Sequence, residues 1–163
     1  MPMLIKLENG RASAVENQYA NLADEDALPA SGGAIVSLER FKTERETTNQ
    51  PLGIRLEPDQ AVEDLAPYIS SVSVIALTFP KFRDGRAFSA AALLRERYGY
   101  TGEIRAVGDV LLEQGNYMAR VGFDAFEPSD NTTAEAWTSR IGLFRHVYQA
   151  AGDGRAPAFV ERG

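Results

Sequence analysis

The stretch VSVIALTF, residues 72–79, is continuous, β-branched and apolar, with no polar alternation. A strand of that kind is stable only where both of its faces are covered, as in a parallel sheet packed against helices. Working outward from it, the chain reads as alternating strand and helix units. Downstream, Ser89 is placed to cap a helix with a buried stripe of Ala90, Leu93, Leu94 and Tyr98. Arg95 and Glu96 are expected to point away from that stripe, and Gly99 to stop the helix in a left-handed conformation. EIRAV (103–107) is the next strand. Asp109 is expected to start a helix carrying Val110, Gln114, Tyr117, Met118 and Val121 on one face, ended by Gly122. FDAFE (123–127) follows as a strand. Thr132 and Glu135 have capping-box spacing for a last helix with Trp137, Ile141, Phe144 and Tyr148 as its stripe.

Upstream, AIV (34–36) is a short strand, and Ser37 caps a helix from Leu38 to about Glu46. LGIRLE (52–57) is a strand between Pro51 and Pro58. Asp59 is placed to cap a short helix through Val62, Leu65 and Ile69, interrupted at Pro67. At the start of the chain, Asn9-Gly10 suits a two-residue hairpin turn, because both residues tolerate positive φ. The expected fold is therefore α/β: an open, mostly parallel sheet of about five strands flanked by helices, preceded by an N-terminal hairpin. The alternative is a partial or dimer-completed β/α barrel, whose units are locally the same; the chain is too short for eight of them. One domain is expected over 1–163, with the hairpin and its connection in 1–33, the repeat core in 34–150 and a loose tail over 152–163.

The 163 residues carry a formal net charge of −6, which disfavours nucleic acid as a partner. No apolar run approaches the roughly 18 residues that span a bilayer, so no membrane partner and a cytoplasmic location are expected. There is no cysteine and one histidine, His146. Thiolate nucleophiles, disulfides and zinc–cysteine or iron–sulfur sites built from this chain alone are thereby excluded. No glycine-rich phosphate loop occurs, and no metal or other cofactor is expected. His146 lies off the Trp137 stripe and reads as a surface residue. Gly115 within a helix costs about 1 kcal/mol relative to alanine. It implies close approach by another helix, from this chain or from a second copy in a homodimer.

Four motifs, FPKFRDGR, LLRERYG, RAVGDV and GFDAF, occur in that order between residues 79 and 127, with IVSLERF and LGIRLEP upstream. With these the chain resembles the bacterial family known as domain of unknown function 934. The resemblance implies an accessory protein supporting assimilatory sulfite reduction through a protein partner, with a sulfite reductase component as that partner. It also carries the label of probable oxidoreductase, for which this chain holds no redox motif, so whether it is an enzyme stays open. Many relatives have a cysteine where this chain has Val121.

In parallel sheets, ligands bind outside the carboxyl ends of the strands, at a reversal of strand order. The loops there bring Lys81, Arg83, Asp84, Gly85 and Arg86; then Gly108 and Asp109; then Ser129, Asp130 and Asn131. The first two sets form a candidate site for a small anionic ligand. Arginine offers a fork of donors and lysine a point charge, and the following helix adds its amino-terminal amides. The competing reading is structural: Asp84-Gly85 as a turn, Asp109 as a helix cap, and the basic residues as solvated charge.

Overall fold

The structure is a computed structural model and describes residues 3–81 and 85–143. Strands β1 (Met3–Glu8) and β2 (Arg11–Glu16) form the expected hairpin, with Asn9 and Gly10 at φ 54° and 79°. Next come β3 (Tyr19–Asn21), β4 (Gly33–Ser37), α1 (Leu38–Glu44) and β5 (Leu52–Leu56). A 3₁₀ segment, Val62–Ser71, leads to β6 (Val74–Phe79) and α2 (Arg86–Glu96). The chain continues through β7 (Glu103–Gly108), a short 3₁₀ turn (Leu112–Gln114) and α3 (Gly115–Val121) to β8 (Ala125–Phe126) and α4 (Ala134–Leu143).

The eight strands among the described residues share one mixed sheet, in the order β2-β1-β8-β7-β6-β5-β4-β3. From β3 to β8 the strands are parallel and laid down in sequence order; β1 then joins β8 antiparallel and carries β2 outside it. The expectation of about five strands in an open sheet is therefore corrected, and the partial-barrel alternative fits. The reason lies between β2 and β3. These are the two outer strands of the sheet, yet only residues 17–18 separate them. At roughly 3.3–3.6 Å per residue, so short a link cannot cross a flat sheet of eight strands spaced about 4.8 Å apart. The sheet must curl until its edges approach each other, and it does so as a half-barrel. β3 lies in what reads from sequence as a connection, and the three-residue strand has no periodicity to betray it.

Successive right-handed crossovers in one direction place the described helices on the outer face. There Val36, Ile54, Ile75, Leu77, Ile104 and Phe126 of the strands pack in one cluster with Phe41, Leu65, Leu94, Met118 and Trp137. A second, smaller cluster occupies the inner face: Ile35, Val74, Ala76 and Val107, with Tyr19 against it. VSVIALTF is accordingly covered on both sides, as its composition requires.

Several helix starts differ from expectation. Ser37 does cap α1, accepting from the Arg40 amide at 3.2 Å. α2, however, begins at Arg86, so Ser89 lies inside it, and Ala87 and Ala91 join Ala90 and Leu94 as its buried residues. Alanine and arginine are good helix formers, so the helix extends back to Gly85 without needing a side-chain cap. Neither Asp59 nor Asp109 caps a helix, since the following 3₁₀ segments begin at Val62 and Leu112. At α4 the cap is Thr133, which accepts from the Ala136 amide at 3.1 Å. Thr132 instead accepts from the Trp137 indole at 2.7 Å. The glycine at 115 is explained within the chain: a Cβ there would sit 2.8 Å from Cζ3 of Trp137. That ring is fully buried and stacks on Phe126 at 4.6 Å between centroids. No second subunit is needed to account for it. Phe144, His146, Tyr148 and the tail over 152–163 lie outside the described residues.

Candidate functional site

β6 and β7 end side by side, and their exits diverge around a cavity of about 310 Å³. Its polar lining comes from Lys81 and Gly85 after β6, and from Asp109, Glu113 and Gln114 after β7. Its apolar wall includes Phe79, Phe88 and Leu111. The Phe79 ring is packed edge-on to Phe88 at 5.0 Å and lies 5.5 Å from Phe123, so that wall is anchored in the core. Phe88 continues outward to Tyr117 at 4.7 Å, and Tyr117 is exposed.

Gly108 sets the width of this crevice. Its φ is +91°, and a Cβ there would stand 2.5 Å from the Phe79 carbonyl oxygen. Without one, β7 stays close to β6, and the Asp109 amide donates to that same carbonyl at 2.8 Å. Asp109 is thus fixed through its backbone, which leaves it half-buried at the cavity rather than committed to a helix end.

Of the residues expected at the site, the structure brings together Lys81, Gly85 and Asp109, with Gly108 as the spacer. Arg86 lines a neighbouring cavity of about 220 Å³, shared with Glu57, Gln60, Glu63 and Ser89. Arg83 and Asp84 lie outside the described residues. The third loop is structural: Ser129 bonds the Val110 carbonyl through both amide and hydroxyl, and Asp130 accepts from the Leu112 amide at 3.0 Å. Those contacts hold the β7 exit in place. The crevice does not lie at a reversal of strand order, because β5, β6, β7 and β8 run consecutively. Among the described residues no group of three or more His, Asp or Glu is arranged to hold a metal ion. No helix there is long and apolar enough to cross a membrane.

Two polar assemblies escape the periodic reading. The first is on the inner face of the sheet. Arg105, only 1% exposed, donates to Glu103 (2.6 Å), Asn17 (2.8 Å) and Glu127 (2.9 Å). Lys6 completes it through the other oxygen of Glu103, and Tyr19 lies beside the guanidinium. EIRAV held the signal: in a strand covered on both faces, a charged pair at i and i+2 must find partners indoors.

The second is around Arg95, which does not point to solvent as expected. Its guanidinium donates to the carbonyls of Gly122, Tyr100 and Gly102 at 2.8–3.0 Å, and lies 3.6 Å from Asp124. These are loop and helix-end carbonyls with no ladder partner, so one side chain satisfies a whole corner. Tyr100 donates to the Val72 carbonyl at 3.1 Å, and burial pushes its pKa above the ordinary tyrosine value against the pull of Arg95. Val121, at the end of α3, packs on the core as a small hydrophobe.

Asp124 carries a pH dependence. Burial raises its carboxyl pKa, opposed by the Ile104 amide it accepts from (2.8 Å) and by Arg95 and Lys6, with Glu103 acting in the same direction as burial. Between its unfolded and folded pKa values the native chain binds the proton more tightly, so its contribution to stability falls as pH rises through that window. Asp124→Asn keeps the acceptor for Ile104 and removes the ionisation. The melting temperature of the variant minus that of the wild type is expected to become more positive as pH rises from about 4, the ordinary carboxylate value, towards neutrality. A difference that does not change with pH would show that Asp124 is not the group concerned.

A family model described as a bacterial protein of unknown function, DUF934, matches residues 53–159. No curated protein matches the chain.

Proposed function

The chain belongs to the DUF934 family of bacterial proteins of unknown function, and from that premise we propose that it binds a small metabolite through an anionic group in the crevice between the β6 and β7 exits. The observation that supports this reading is the shared cavity of Lys81, Gly85 and Asp109, residues brought from two separate loops to one strand-end depression. Among the described residues Lys81 is the cation of that lining, and the amino-terminal end of α2 starts just beyond Gly85. The cavity's size, at the lower end of the roughly 300–1,000 Å³ usual for ligand sites, suits a small molecule. Arg83, Asp84 and Arg86 remain candidate contributors from the same loop.

The setting is assimilatory sulfite reduction, as the family resemblance implies. In that setting a second reading has the protein act as an accessory to a sulfite reductase component. The reading rests on the family resemblance; without cysteine, any electron transfer here would need a borrowed cofactor, a carboxylate-held metal or a partner. A pull-down from cells growing on sulfate should then recover a sulfite reductase component, and its consistent absence would dispose of this reading.

The site is tested by Lys81→Ala, which changes an exposed side chain. The variant is expected to keep its melting temperature and to lose growth rescue of a deletion strain on sulfate. Binding of anion-bearing ligands should weaken by at least about ten-fold, the scale of one charge-assisted hydrogen bond. Full rescue with unchanged binding would remove the crevice from consideration.

A further inference from the structure

We infer that the ligand of this crevice is a zwitterion of amino-acid size, with an ammonium group as well as an acid group, and not a bare oxyanion; this rests on the crevice being the ligand site. The charges of the lining carry the inference. Among the described residues of the lining, Lys81 brings one positive charge, while Asp109 and Glu113 bring two negative ones. A bare oxyanion held by Lys81 meets two carboxylates around the same space, and like charges brought together in a partly desolvated cavity oppose binding. A ligand with both signs turns the same lining to advantage: its acid group faces Lys81, and its ammonium donates to Asp109 or Glu113.

The two signs also come from different loops. Lys81 follows β6, whereas Asp109 and Glu113 follow β7. A zwitterion can therefore bridge the two loops, its acid group towards the loop after β6 and its ammonium towards the loop after β7. The Phe79, Phe88 and Leu111 wall is left for the ligand's remaining, less polar part. Gln114, on the β7 side, supplies an amide able to donate or accept.

Isothermal titration calorimetry of the full chain tests this against the proteinogenic amino acids and taurine, the N-acetyl form of the tightest binder, and sulfite, phosphate and acetate. At least one zwitterion is expected to bind, at least about ten-fold more tightly than its N-acetyl form and than any of the three anions. Asp109→Asn with Glu113→Gln should abolish that preference and leave the anions bound as well or better, at an unchanged melting temperature. If sulfite, phosphate or acetate binds as tightly as the best zwitterion, and loses affinity in Lys81→Ala, the crevice stands as the site and the zwitterion inference is overturned. If no probe binds, both fail.

Discussion

Arg105→Met is expected to destabilise the protein by about 3–5 kcal/mol, the usual cost of breaking a buried ion pair from one side. The loss is not that of one favourable contact. Without the guanidinium, Glu103 and Glu127, 10% and 20% exposed, share the site with the Asn17 side-chain amide, whose nitrogen donates to Glu127 at 3.4 Å, and with Lys6 as the remaining cation among their recorded ion pairs. Urea unfolding checks this through a lowered midpoint at unchanged slope. Adding Glu103→Gln and Glu127→Gln should recover much of the loss, since it removes the stranded charges. A single variant as stable as the wild type would mean that the inner face admits water freely, contrary to the 1% exposure of Arg105. The network also ties residues 17–19 to β7, so the single variant should loosen the approach of the sheet's two edges. Faster amide exchange at β3 is the expected sign.

Gly108→Ala is expected to cost more than the strain of its backbone angle alone. A non-glycine residue in a sparsely populated region costs about 1–3 kcal/mol. At this position the new methyl would also stand 2.5 Å from the Phe79 carbonyl oxygen, and a backbone atom of a central strand cannot swing aside. Gly99 supplies the control: its φ is +63°, and nothing lies within 4 Å of where a Cβ would be. Gly99→Ala should therefore show strain alone, about 1–2 kcal/mol, and Gly108→Ala visibly more in the same unfolding experiment. Because relief comes by pushing the β7 exit away from β6, the Gly108 variant should also weaken ligand binding in the crevice. The Gly99 variant should not. Equal stability losses in the two would show that the β7 exit yields without resistance.

The chemistry of the strand-end crevice was half legible in advance. Lys81, Gly85 and Asp109 follow from one rule, that loops at the carboxyl ends of parallel strands face a common space. Glu113 and Gln114 were missed, because the expected helix from Asp109 would have carried them away along its length. In the structure the chain stays irregular until Leu112, and both side chains remain at the cavity. That difference changes the chemistry inferred for the site, from an anion pocket to one with both signs.

The sequence by itself determined most of the strands, the hairpin turn and some of the helix caps and stops, but not β3 or where several of the helices start. Periodicity, turn pairs and glycine stops act over a few residues and need no knowledge of distant ones. VSVIALTF, the Asn9-Gly10 turn, the Ser37 cap and the Gly99 stop are all of this kind. The tertiary structure alone decided the curl, strand β3 and the inner-face network. Asn17 meets Arg105 across 88 positions, and Lys6 meets Glu103 across 97. No local pattern encodes such a pairing. It arises because a link of two residues must join opposite edges of one sheet, which curls the sheet and encloses the charges on its inner face.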